Sequence, residues 1–209
     1  MQKIDVPLPD SLWLAAHYRD YASPRSKIVS LEKKKEIVRL KRGLYVTAAA
    51  LEEHFPPGCI ANRLYGPSYV SFAYALRLYN LIPEHVPHVT SATRGKRRKK
   101  RFATPIGTFF YRDVPEGVYH KAVTYREENG ARYLVATPEK ALCDELSTIT
   151  TVRTLGAIER LLFDDLRIDT KEFAKLDVPE ILLLAPFYQS TAVGALAHYL
   201  RNGYYEKRP

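Results

Sequence analysis

Between residues 10 and 21 the apolar positions Leu12, Leu14, Ala15 and Tyr18 fall near helical spacing, and Asp10 or Ser11 supplies an N-cap, so the pattern predicts an amphipathic helix. Ser23-Pro24 opens a second helix, running to about residue 34, because serine caps and proline suits the first helical position. Residues 36–46 then change period. Two β-rich runs flank Lys41-Arg42-Gly43, which predicts a hairpin with Gly43 free to take positive φ. A helix follows at 47–54, and Pro56-Pro57-Gly58 marks a boundary.

Beyond that boundary, 60–65 and the aromatic-rich 68–80 read as helices. Strands are expected at 88–92, 107–112, 121–126 and 132–136, with Glu127-Glu128-Asn129-Gly130 as a hairpin turn. From Thr137 the pattern turns helical, with segments at 138–147, 152–163, 170–176, 179–184 and 189–201. The fold class is therefore α+β. A small N-terminal winged-helix-like domain (1–55) precedes a larger mixed α+β domain (56–209), with strands at about 86–136 and helices at about 137–202.

Charge sharpens this picture. The chain carries a formal net charge of +9, but residues 24–46 alone hold +6 and residues 94–101 hold +7, leaving −4 for everything else. Basicity focused in two places is the footprint of a polyanion-binding surface. Apolar residues make up 46% of the chain, so a packed core is expected. The start, Met1-Gln2-Lys3-Ile4-Asp5-Val6-Pro7, does not read as a signal peptide, and no apolar run is long enough for a membrane span. Two widely spaced cysteines, Cys59 and Cys143, make neither a disulfide framework nor a metal knuckle, so a cytoplasmic location is expected.

The second helix gains meaning when its faces are separated. With Ile28 and Leu31 inward, a step of about 100° per residue puts Ser26, Val29, Ser30 and Lys33 outward, with Arg25, Lys27 and Lys34 on the flanks. Short side chains in the middle allow close approach to base edges, and cations at the rim hold phosphates. An outward Val29 is unexplained by core packing and would suit contact with a thymine methyl. The adjoining hairpin adds Arg39, Lys41 and Arg42, so that helix and basic-tipped hairpin together read as a winged helix. Only two helices precede this wing, where a full helix-turn-helix has three.

The second run, Arg94, Lys96, Arg97, Arg98, Lys99, Lys100 and Arg101, lies between two expected strands and reads as a loop. DNA backbone, RNA or an acidic partner protein would each suit it, as would solvent. Catalytic chemistry is hard to find. Phosphate-binding glycine loops are missing, His85-Val86-Pro87-His88 is a weak pair, and the adjacent acids Asp144-Glu145 and Asp164-Asp165 diverge on their helices. Cys143 sits among apolar neighbours and reads as a core thiol. The residues suggest no enzyme, no metal site and no cofactor. The enzyme alternative is a magnesium-dependent nuclease using a carboxylate such as Asp144 or Glu139.

Three stretches, in this order, resemble the AbiEi-type antitoxins of type IV (abortive-infection) toxin–antitoxin systems. They are Ser23-Pro24-Arg25 leading into Ile37 to Val46, Ile60-Ala61-Asn62-Arg63-Leu64 followed by Ser68 to Leu76, and Leu134 to Leu142. Together they span roughly residues 10 to 150. The resemblance implies a winged-helix domain that represses its own promoter and a C-terminal domain that counteracts a nucleotidyltransferase-class toxin. By the same likeness Arg25, Lys27, Lys33, Lys34, Arg39, Lys41 and Arg42 would contact operator DNA, and residues 94–101 would serve DNA binding or antitoxin action. A transcription factor without a toxin partner, a nuclease and an RNA-binding protein are the alternatives.

Overall fold

Both helices of the head begin where the sequence punctuates them. In the computed structural model, which describes residues 4–203, the Asp10 carboxylate accepts from the Leu12 and Trp13 amides at 3.0 and 2.8 Å to open α1 (Ser11–His17). The expected ends of the two domains, residues 1–3 and 204–209, lie outside the described residues. Ser23 caps α2 (Pro24–Lys33) by accepting from the Ser26 amide at 3.3 Å, with Pro24 at the first position. Leu14 and Tyr18 of the α1 region pack with Ile28, Leu31, Ile37 and Tyr45 in a small core of their own. Leu12, expected on the inward face, is instead 82% exposed. Two residues turn a helix by about 200°, so once Leu14 faces the core Leu12 must face solvent.

The hairpin joins β1 (Ile37–Lys41) to β2 (Leu44–Thr47) through Gly43, whose φ of +79° needs a glycine. Its edge is extended by the chain before α1. The Tyr45 and Thr47 amides donate to the Pro9 and Pro7 carbonyls, and Asp10 bridges Leu44, giving the wing a third strand-like rung. The two faces of the hairpin serve different cores. Ile37 and Tyr45 belong to the head, whereas Leu40, Leu44 and Val46 join the main core together with Ala50 of α3 (Ala48–Glu52). The two halves of the chain are thus interlocked through the wing.

In the larger unit, α4 (Pro57–Leu64) lies directly on a sheet. A Cβ at Gly58 would come within 2.3 Å of the Tyr133 ring, so only glycine permits this approach. The Asn62 side chain exchanges two hydrogen bonds with the Leu134 backbone, and the Tyr111 hydroxyl donates to the Ala61 carbonyl at 2.8 Å. Next along the chain are β3 (Tyr69–Val70), α5 (Phe72–Leu78), β4 (His88–Thr93), β5 (Lys100–Thr104) and β6 (Gly107–Asp113). After them come α6 (Glu116–Tyr119), β7 (Val123–Glu128), β8 (Ala131–Ala136) and α7 (Pro138–Leu146). The six strands form one mixed sheet in the order β5-β6-β4-β3-β8-β7. The tail is helical: α8 (Leu155–Arg160) continuing into a π turn at Leu161–Asp165, then α9 (Thr170–Phe173), α10 (Val178–Leu184) and α11 (Thr191–Arg201). No helix among the described residues is long and apolar enough to cross a membrane.

The α+β class is as expected, with three local corrections. The segment 68–80 is not one helix: Tyr69 and Val70 form a short strand between β4 and β8, and Ser71 is the N-cap of α5. Residues 94–101 are not wholly a loop, because Lys100 and Arg101 begin β5, an edge strand paired antiparallel with β6. The strand expected at 121–126 runs at Val123–Glu128, right up to its turn. Asn129 and Gly130 there take φ of 47° and 72°, the two left-handed positions of a tight hairpin.

Candidate nucleic-acid interface

The outward face of α2 carries the side chains expected of it. Arg25, Ser26, Val29, Ser30 and Lys33 line one open groove of about 500 Å³, and Val29 is 47% exposed despite being apolar. The Ser26 hydroxyl lies 2.8 Å from that of Ser23, so it is partly held by the helix cap. Lys27 folds back over the Tyr18 and Tyr21 rings, with Nζ 5.5 and 5.1 Å from their centroids, which keeps this cation at the flank. Lys33 and Lys34 end the helix in solvent. A second depression of about 400 Å³ runs between the helices and the wing, and brings Arg25, Arg39 and Arg42 together across Ile28, Val29 and Glu32.

Lys41 does not join them. The pairs Arg39↔Tyr45 and Lys41↔Leu44 show that β1 advances two residues while β2 advances one, so Leu40 is the extra residue of a bulge. Strict alternation would have put Lys41 beside Arg39. The bulge places it instead on the side of Leu44, facing the larger unit, where its Nζ donates to the Leu64 carbonyl at 2.6 Å. The wing tip therefore offers Arg39 and Arg42 outward and uses Lys41 as a tether to the C-terminus of α4.

The second basic run is similarly divided. Arg94 pairs with Glu116 at 3.3 Å and lies over the Tyr119 ring. Lys96 Nζ donates to the Gly66 carbonyl at 3.4 Å and sits over the Tyr65 ring, so lysines of the wing and of this run converge on the end of α4. Lys41 on the last carbonyl of α4, with Lys96 two residues beyond it, places positive charge at the helix C-terminus, where its dipole favours cations. Lys100 and Arg101 lie over Phe102 and Phe110. Arg97, Arg98 and Lys99, at the turn, line a separate cleft of about 460 Å³ with Arg112, Asp113, Ser147 and Thr148.

One constellation escaped the sequence reading altogether. The Asp144 carboxylate is fully buried and accepts from Lys140 Nζ (2.6 Å), Ser71 Oγ (2.6 Å), Tyr188 Oη (2.5 Å) and Tyr69 Oη (3.1 Å). Lys140 is equally buried and also donates to Tyr188 at 2.7 Å. Burial lowers the Lys140 ammonium below its usual range, opposed by Asp144, and drives the Tyr69 and Tyr188 phenols far up. The one available signal was the Lys140/Asp144 spacing of four within a helix. Asp144 is spent on these bonds, and Glu139, buried too, accepts from the Asp177 amide at 2.9 Å. Neither carboxylate named for the nuclease alternative faces an open cleft. Cys143 is buried, and burial raises its thiol strongly. Among the described residues no cluster of three or more His, Cys, Asp or Glu side chains could hold a metal ion.

The fold is that of an α+β protein, a head of two helices and a hairpin tied through α4 to a six-stranded mixed sheet. No family model matches the chain, and no curated protein matches it. Among solved structures it is similar to the crystal structure of the Rv2827c protein from Mycobacterium tuberculosis. The TM-score is 0.50 at 12% identity, covering 93% of this chain and 76% of that one. At that identity the likeness is one of fold.

Proposed function

We propose that this protein is a double-stranded-DNA-binding transcriptional regulator that acts on its own promoter and belongs to the AbiEi antitoxin type. The observation that carries the reading is the exposed face of α2. It has small polar and apolar side chains at its centre (Ser26, Val29, Ser30), cations at its rim (Arg25, Lys33), and Arg39 and Arg42 of the wing beside it. Neither wing arginine has an ion-pair partner among the described residues. In this reading α2 enters the major groove, Ser26, Val29 and Ser30 meet base edges, and Arg25, Lys33, Arg39 and Arg42 hold phosphates. Lys41 contributes through its tether, by fixing the wing on α4.

Fluorescence anisotropy on the DNA just upstream of the gene, over a salt series and with a scrambled duplex as control, tests the regulator. Tighter binding upstream, with a log–log salt slope of several units, is the expected result. Equal weak binding to both duplexes would overturn it. The antitoxin part predicts that co-expression relieves the toxicity of a nucleotidyltransferase encoded in the neighbouring reading frame. A neighbour without such toxicity would leave a transcription factor of this architecture.

A further inference from the structure

The cleft between the 97–99 turn and the end of α7 has two walls of opposite character. One wall is cationic, formed by Arg97, Arg98, Lys99 and Arg112; none places its side-chain charge within 4.0 Å of an acid among the described residues, although Arg112 is near enough to the buried Glu145 carboxyl to favour its charged form. The acid in the cleft, Asp113, is already committed. Its two carboxylate oxygens accept from the Thr93 hydroxyl (2.7 Å) and the Arg97 amide (2.6 Å), which fixes the turn, and its single charge leaves the four cations of the cleft in excess. Arg112 stands on β6, so it reaches the cleft from an element other than the turn.

The other wall is the C-terminus of α7, where Ser147 and Thr148 hydroxyls donate to the Asp144 and Glu145 carbonyls at 2.7 and 2.9 Å. A hydroxyl has a single proton. With that proton used, both oxygens face a ligand as acceptors only, at the negative end of a helix. The site is therefore built for a molecule with anionic groups at one end and O–H or N–H donors at the other. Its volume of about 460 Å³ lies within the range of roughly 300–1,000 Å³ typical of small-molecule sites. A continuous polyanion would run its charges into the helix end, which argues for a short ligand.

We propose that this cleft binds a nucleoside polyphosphate, the phosphates against Arg97, Arg98, Lys99 and Arg112 and the sugar or base donors against Ser147 and Thr148. The site is separate from the reading face of α2, so either can exist without the other.

Titration calorimetry of the full chain with ATP, ADP, AMP, adenosine and inorganic tripolyphosphate tests it. Affinity should fall in the order ATP, ADP, AMP, with adenosine weakest and tripolyphosphate weaker than ATP. Arg98→Ala/Arg112→Ala should weaken ATP by at least about 10-fold, the loss expected for even one charged hydrogen bond. Arg98→Ala/Lys99→Ala, which alters exposed side chains only, should act in the same direction with an unchanged melting temperature. Thr148→Val should weaken ATP but leave tripolyphosphate alone, and Arg39→Ala/Arg42→Ala in the head should leave ATP affinity unchanged. Tripolyphosphate binding as tightly as ATP would overturn the proposal, as would ATP binding indifferent to both cleft variants, or no ATP binding at all.

Discussion

Replacing Asp144 by alanine strips the interior of a charge that four donors share, and the geometry says which partner suffers. Lys140, with no exposed surface, keeps only the Tyr188 oxygen at 2.7 Å as an acceptor, while the hydroxyls of Tyr69 and Ser71 lose their carboxylate. An uncompensated buried ammonium costs about 3–5 kcal/mol. For a chain of this size about 1 kcal/mol moves the melting temperature by roughly 2–4 °C, so Asp144→Ala should melt roughly 6–20 °C lower. Lys140→Met removes the opposite charge but leaves Asp144 three hydroxyl donors, so its loss should be about 1–3 kcal/mol. Lys140→Met/Asp144→Leu, which removes both charges and keeps apolar volume, should lie nearer the wild type than Asp144→Ala does. Urea and thermal unfolding followed by circular dichroism measure all three. If Asp144→Ala costs no more than Lys140→Met, or the double variant is the worst, then the pair is not what the buried network depends on.

Other outcomes follow from the interface and the thiols. Arg39→Ala/Arg42→Ala should weaken duplex binding on every sequence and flatten the log–log salt slope by about 1.8 units, as expected for two lost phosphate contacts. Lys41→Ala should change that slope by less than one phosphate contact, because its Nζ is held by the Leu64 carbonyl; an equal effect of Lys41 and Arg42 would contradict the bulge argument. Ser30→Ala and Val29→Ala should shift base preference in a selection experiment while leaving the salt slope intact. Burial, with Glu128 nearby, lifts the Cys59 thiol from 9.0 to about 11, which cuts its thiolate fraction about 100-fold at pH 8. Because the raised value keeps the reactive form scarce until strongly alkaline pH, iodoacetamide should label Cys59 and Cys143 slowly in the native protein and both quickly in urea. Rapid native labelling at pH 8 would refute this environment.

The second basic run shows how charge can be read without its use. Its seven cations announce a polyanion surface, yet Arg94, Lys96, Lys100 and Arg101 are each drawn onto an acid, a carbonyl or an aromatic ring. Arg97, Arg98 and Lys99, with Arg112 from another strand, face an open cleft. Arg112 could not be assigned to that group from its position in the chain, since it is the folding of β6 beside the 97–99 turn that brings it to the cleft.

The sequence by itself determined the elements whose signals act within a few residues. Asp10, Ser23-Pro24 and Thr137 cap their helices, Gly43 and Asn129-Gly130 turn their hairpins, and the outward face of α2 follows from helical periodicity alone. Tertiary structure decided the rest. Two-residue β3 exists because β4 and β8 flank it, and β5 (Lys100-Arg101-Phe102-Ala103-Thr104), which shows no strict alternation of polar and apolar side chains, is held at the edge by β6. Lys41 faces inward because Leu40 bulges when the wing docks. The Asp144 network draws its partners from up to 75 residues away. Local preference fixes a backbone's turn, but where a side chain is buried and what it bonds to depend on which distant segment packs against it.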